Sequence, residues 1–115
     1  MNINRVVTQN EPINEIIVYE DNEFNLLLEL FDDLGAEFAD GVFIRVIMSL
    51  RTGSYERWTS GIVTVSSGVA TIEFDSDSTS EAGDYTCNIE VVDDATTVTT
   101  NLTVGTFRFL VEEAL

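Results

Sequence analysis

The sequence predicts an all-β domain, an antiparallel two-sheet sandwich of about seven strands. Val, Ile and Thr supply 35 of the 115 residues, and their stiff side chains suit a pleated sheet better than a helix. Apolar residues recur every second position in several segments, and no segment carries a helical period. Turn-forming clusters separate those segments at intervals of about 8 to 15 residues, which leaves no room for helical crossovers and excludes a parallel α/β design.

The elements follow in order. Glu15 to Glu20 is a strand ended by the Asp21-Asn22 turn. Phe24 to Phe31 alternates, with Phe24, Leu26, Leu28 and Leu30 on one face and Asn25 and Glu29 on the other, where Leu27 and Phe31 add apolar surface. After a loop of turn formers, Val42 to Leu50 has the pattern of a central strand. Thr52-Gly53-Ser54 is a turn before a short edge strand with Tyr55 and Trp58. Ile62 to Val65, Ser66-Ser67-Gly68 and Val69 to Phe74 have the pattern of a hairpin. Ser78-x-x-Glu81 has the spacing of a helix capping box, and Gly83 suits a left-handed terminator, so one short helical turn is expected before the next strand. Tyr85, Cys87, Ile89 and Val91 alternate with polar residues, and Val98 to Val111 completes the sheet. In that last strand the apolar parity switches from Val98, Leu102 and Val104 to Phe107, Phe109 and Val111 across Gly105, which predicts a bulge there. The domain is expected over 13–113, between an N-terminal arm (1–12) and a two-residue tail (114–115).

Composition narrows the function. The formal charge is −16, from 21 acidic residues against five arginines. That charge repels phosphate backbones and anionic lipids, so neither nucleic acid nor membrane is an expected partner. With no His, no Lys and one Cys, the usual general bases and activated nucleophiles are missing, and catalysis is not expected. Cys87 can form no intrachain disulfide and is expected to be a small buried hydrophobe. The start of the chain has no apolar signal stretch, so the protein is expected to stay in the cytosol or to leave it within an assembly. Asn101-Leu-Thr103 matches a glycosylation acceptor inside a strand pattern, which makes it a chance match.

Glu81-Ala-Gly-Asp-Tyr-Thr-Cys87 is similar to the segment of immunoglobulin-like domains in which a turn leads into strand F and a tyrosine two residues before the cysteine bonds back across the corner. The resemblance implies an immunoglobulin-like sandwich with Tyr85 as the corner tyrosine and Cys87, Gly83 and Gly105 as structural positions. A second cysteine and a central-strand tryptophan, both features of antibody domains, are absent. From Asp21 to Glu113 the chain also resembles small sandwich domains of tailed-bacteriophage virion proteins, in particular the N-terminal domain of upper baseplate proteins. The matching pieces are Asn25 to Phe31, Asp40 to Leu50, Ile62 to Phe74, Gly83 to Val92 and Gly105 to Val111. This resemblance implies a virion component, assembled in the host cytoplasm, whose partners are other virion subunits and copies of itself.

No cofactor is expected. Asp75, Asp77, Thr79 and Glu81 alternate like the opening of a calcium loop, but Ser80 and Thr86 stand where its glycine and bidentate glutamate belong. In an immunoglobulin-like sandwich, Asp32, Asp33, Asp40, Asp93 and Asp94 fall in loops at one end, which makes them the candidate set for a hard cation. The apolar residues Ile3, Val6, Val7 and Ile13 near the start, with Leu115 at the end, are expected to dock on neighbouring subunits, so that removing residues 1–12 would abolish assembly and leave the domain folded. The expected role is an acidic module that decorates or cements a capsid, with a tail or baseplate adaptor as the alternative and an acidic DNA-mimic inhibitor as a third reading.

Overall fold

The computed structural model describes residues 1–53 and 55–114. Among them the strands are β1 (Asn2–Thr8), β2 (Ile16–Tyr19), β3 (Phe24–Phe31), β4 (Phe43–Leu50), β5 (Glu56–Thr59), β6 (Val63–Thr64), β7 (Val69–Phe74), β8 (Gly83–Val92) and β9 (Asn101–Glu112). One sheet has the order β1-β3-β7. The other has the order β2-β9-β8-β4-β5, with β6 also paired to β4.

The two-residue rhythm is realised as burial. In β3, Phe24, Leu26, Leu28 and Leu30 are buried, Asn25 and Glu29 are exposed, and Leu27 and Phe31 are half-buried. Ile44, Val46 and Met48 of β4 and Tyr85, Cys87 and Ile89 of β8 meet them from the facing sheet in one continuous core. At one end of that core lies an aromatic cluster. Phe74 stacks on Phe24 with ring centroids 4.6 Å apart, meets Trp58 at 4.6 Å and meets Phe109 edge-on at 5.4 Å. Phe24 and Phe74 come from the smaller sheet and Trp58 and Phe109 from the larger, so the cluster joins the layers.

The sandwich departs from the expected form in five places. First, the sheets are mixed: β1 pairs with β3 and β2 with β9 in parallel. The cause is the link 9–15 with Pro12, which carries the chain from one sheet to the other. The chain reverses between β1 and β2 and again before β3, so β1 and β3 share a direction and lie side by side in parallel. Second, nine strands replace seven, although β5 and β6 both pair antiparallel to β4 and so form one interrupted edge. The break is at Ser60, whose hydroxyl accepts the Val46 N–H at 2.8 Å.

Third, residues 62–74 are not a hairpin ladder. β6 joins the larger sheet and β7 the smaller, with one bridge between Ser66 and Val69. Ser67 (φ 51°) and Gly68 (φ 76°) give that turn its left-handed pair, the geometry that suits a two-residue reversal. Fourth, residues 75–82 make turns and no helix. The Ser78 N–H donates to Asp75 O at 3.2 Å and the Ser80 N–H to Asp77 O at 3.3 Å, but the Ser78 hydroxyl donates back to Asp75 O instead of capping Glu81. Gly83 accordingly is not left-handed; it opens β8 opposite Val111.

Fifth, the expected arm is part of the sandwich. β1 lies along β3 from Asn2 to Thr8, Val7 is buried, and Ile3 and Ile13 pack against the core, while Val6 is exposed. At the other end Ala114 donates its N–H to Glu20 Oε1 at 3.1 Å, and Leu115 lies outside the described residues.

Two measurements check this packing. Phe74→Ala empties the centre of the aromatic cluster and should cost about 3–5 kcal/mol in a urea titration. Removing residues 1–12 strips β1 and Val7 from the core, so the urea midpoint of the truncated chain should fall; an unchanged midpoint would restore the free-arm description.

Candidate functional site

The corner before β8 is built around Tyr85. Its hydroxyl donates to the Glu81 carbonyl at 2.9 Å, and its ring is buried. Burial raises the phenol pKa, which keeps the group a neutral donor. A Cβ on Gly83 would stand 3.1 Å from this ring, so the residue there must be small. Arg57 ties the preceding loop down by donating to Asp77 O at 2.8 Å and pairing with Glu81 at 3.4 Å. Cys87 is buried in the core and burial pushes its thiol pKa up, so it stays protonated and offers no nucleophile.

Gly105 sits at a register shift. Ile89 pairs with Gly105 and Glu90 with Thr103, so Val104 is the extra residue of the bulge. A Cβ there would meet Ile13 at 2.7 Å and Val7 at 3.0 Å, so this glycine makes room for the N-terminal segment. Beyond the shift Glu90 is nearly covered on the outer face of the larger sheet. Arg45 Nε donates to it at 2.9 Å and Asn101 Nδ2 at 2.8 Å. This ion pair is invisible to spacing, since Arg45 and Glu90 meet only through the β4–β8 register.

The five aspartates of the candidate cation set do lie in loops at one end, because Phe43 pairs with Val92. Their oxygens turn to their own surroundings. Asp32 accepts the N–H groups of Leu34 and Ala36 at 2.9 Å, and Asp40 accepts that of Ser67 at 2.8 Å. Asp94 accepts from Thr96 and Thr97, which lowers its pKa. Asp93 accepts the Thr99 hydroxyl and the N–H groups of Thr99 and Thr100 at 3.0 Å, and these bonds, the hydroxyl first, hold its pKa at about 2. Asp33 accepts no hydrogen bond. Among the described residues no three metal-binding side chains converge.

Acidic residues crowd both ends of the sandwich, in loops 32–42 and 93–100 at one and 20–23 and 75–82 at the other, where Glu81 is paired with Arg57. By contrast three of the arginines lie on or beside the outer face of the larger sheet, all ion-paired. Arg45 holds Glu90, Arg51 meets Asp84 at 3.3 Å, and Arg108 meets Asp84 at 3.0 Å and Glu15 at 3.3 Å. Arg108 is the largest cause of the lowered Asp84 pKa. A cleft of about 290 Å³ is lined by Met1, Glu23, Glu73 and Asp75 and has no imidazole or thiol in its wall.

Two facing sheets, an N-terminal segment shared between them and a tyrosine corner ahead of β8 define an immunoglobulin-like β-sandwich. Among solved structures it is similar to the N-terminal domain of phage TP901-1 ORF48, with a TM-score of 0.63 over 96% of this chain and 98% of that chain. The two sequences are 12% identical, so the shared property is the fold. The sequence matches no protein-family model and no curated protein.

The corner and the loop can be probed separately. Tyr85→Phe deletes one hydrogen bond to a carbonyl and should cost about 1 kcal/mol in chemical denaturation. Asp93 has a folded pKa below its ordinary 3.8, so its stabilising bonds are complete above that pH and are lost as pH falls through about 2. Asp93→Asn should therefore flatten the loss of stability on acidification between those values, measured by melting at a series of pH.

Proposed function

We propose that this chain is a non-enzymatic structural protein of a tailed-phage virion, a protein-binding module that joins parts of the tail or baseplate. The observation that carries this reading is the end-to-end agreement of fold with a phage domain, with almost nothing left over on either side. The resemblance of the chain from Asp21 to Glu113 to the N-terminal domains of upper baseplate proteins adds the tail. Protein subunits of the virion, and other copies of this chain, are the partners that follow. A chain with no His or Lys, and with its one thiol buried and held protonated, supports a role in contact and not in turnover.

The capsid surface is favoured only by the charge of −16. That charge keeps a protein away from packaged DNA at a tail as well as on a shell, so it does not choose between them. A DNA-mimic inhibitor needs carboxylates ranked along one face. Here many of them are divided between loops at opposite ends, and on the larger sheet Asp84 and Glu90 are paired with arginine. For calcium, Asp32, Asp40, Asp93 and Asp94 already hold backbone donors, and titration calorimetry with millimolar Ca²⁺ should give no binding heat.

Immunogold labelling of purified particles with an antibody to this chain tests the proposal. Gold at the tail end is the expected result. Gold spread over the head would replace the tail position with decoration, and particles free of the chain would remove the virion role.

A further inference from the structure

The larger sheet ends on β2, and the outer side of this strand is open. Its four residues, Ile16 to Tyr19, contain no charge, proline or bulge, the features that ordinarily blunt an edge. Ile16 and Val18 point into the core, while Ile17 is 51% and Tyr19 50% exposed. Leu110, the register partner of Ile17 on β9, is half-buried and extends the apolar strip.

The backbone there is equally unspent. Glu20 donates its N–H inward to Glu112 O at 2.9 Å, so the alternation along the strand turns the N–H groups of Ile17 and Tyr19 and the carbonyl of Ile17 outward. On either side the outward groups are taken. Arg5 donates to the Glu15 carbonyl at 2.8 Å, and the Asn22 N–H donates to the Tyr19 carbonyl at 3.3 Å. Among the described residues nothing bonds the groups between.

The rim of this opening is acidic at its far end, where Glu20 and Asp21 follow the strand and Glu112 lies across the register from Tyr19; at the near end Glu15 is already paired with Arg108 and Arg5 lies beside it. A second copy pairing antiparallel with Ile17 opposite Tyr19 would set Glu15 against Asp21 at both ends, which repels. We propose that the open edge of β2 is a docking site for an extended segment of another protein, one with apolar side chains in alternation and a basic residue at the end that lies beside Glu20 and Asp21. Such a segment would add a strand to the sheet, bonding to Ile17 and Tyr19, resting on Ile17 and Leu110, and meeting the carboxylates with its basic end. This deepens the protein-binding reading above by naming the surface and the chemistry of the partner.

The test uses the full ¹⁵N-labelled chain and two synthetic peptides with the same core, Lys-Thr-Val-Thr-Val-Lys and Glu-Thr-Val-Thr-Val-Glu. The lysine-ended peptide should shift the Ile17 and Tyr19 amide signals and slow their hydrogen exchange, and its affinity should fall as salt rises. Ile17→Lys should weaken it on the order of tenfold with an unchanged urea midpoint; if that variant fails to fold, Tyr19→Lys is read in its place. Equal binding of the glutamate-ended peptide, no response at either amide, or a dimer in sedimentation that the Ile17→Lys variant abolishes would each overturn the assignment. A chain that still labels tails when its edge binds no peptide leaves the virion reading intact, and a chain absent from particles that binds the peptide leaves the edge intact.

Discussion

The meeting of Phe24, Phe74, Trp58 and Phe109 is the constraint on which the rest of the architecture hangs. Phe74 of the smaller sheet meets Trp58 at 4.6 Å and Phe109 at 5.4 Å across the core, and these ring contacts fix the axial position of one sheet against the other, which aliphatic side chains alone leave softer. With β3, β5, β7 and β9 pinned at one end, the order of strands in each sheet follows from the turns between them. The Tyr85 corner sits at the same end, where it closes the loop that leads from β7 into β8. Both features use apolar bodies to set geometry and leave the loops free to vary.

Much of the fold is legible because burial follows parity. β3 and β7 have the bounds that alternation gives them, Phe24 to Phe31 and Val69 to Phe74. β1 escapes because Arg5 shares the inward parity of Ile3 and Val7, which spoils the pattern; its guanidinium reaches the carbonyls of Asn4, Asn14 and Glu15, a destination no periodicity reveals. Periodicity identifies strands and is silent on neighbours, which is why the parallel pairs and the split between β6 and β7 appear only in three dimensions. The missing helical turn has a local cause, since serine and threonine hydroxyls in residues 78–80 bond to carbonyls that a helix would need differently.

The functional surface is less legible than the core for a related reason. Tyr85 and Gly105 can be picked out because each departs from its surroundings in type or parity. Asp32, Asp93 and their neighbours gather at one end as topology requires, yet their carboxylates serve their own turns, so composition overstates what they offer a cation. The Arg45–Glu90 pair and the bare edge of β2 have no sequence signature, because each depends on which strand lies alongside. Four apolar residues between glutamates read as an ordinary strand until the sheet is seen to stop there.

Pairing of β2 with β9 joins Ile16 to Phe109, and the space left by Gly105 is filled by Val7 and Ile13. The early part of the chain is thus completed by the late part. During synthesis β3, β4 and the strands after them can begin to associate while β1 and β2 wait, but the larger sheet cannot close until the final strand has left the ribosome. Long-range closure of this kind makes folding slow relative to helical domains of the same size. A chain cut short before β9 has no stable place for β2 and leaves β8 as a bare edge, so only the complete domain closes its larger sheet.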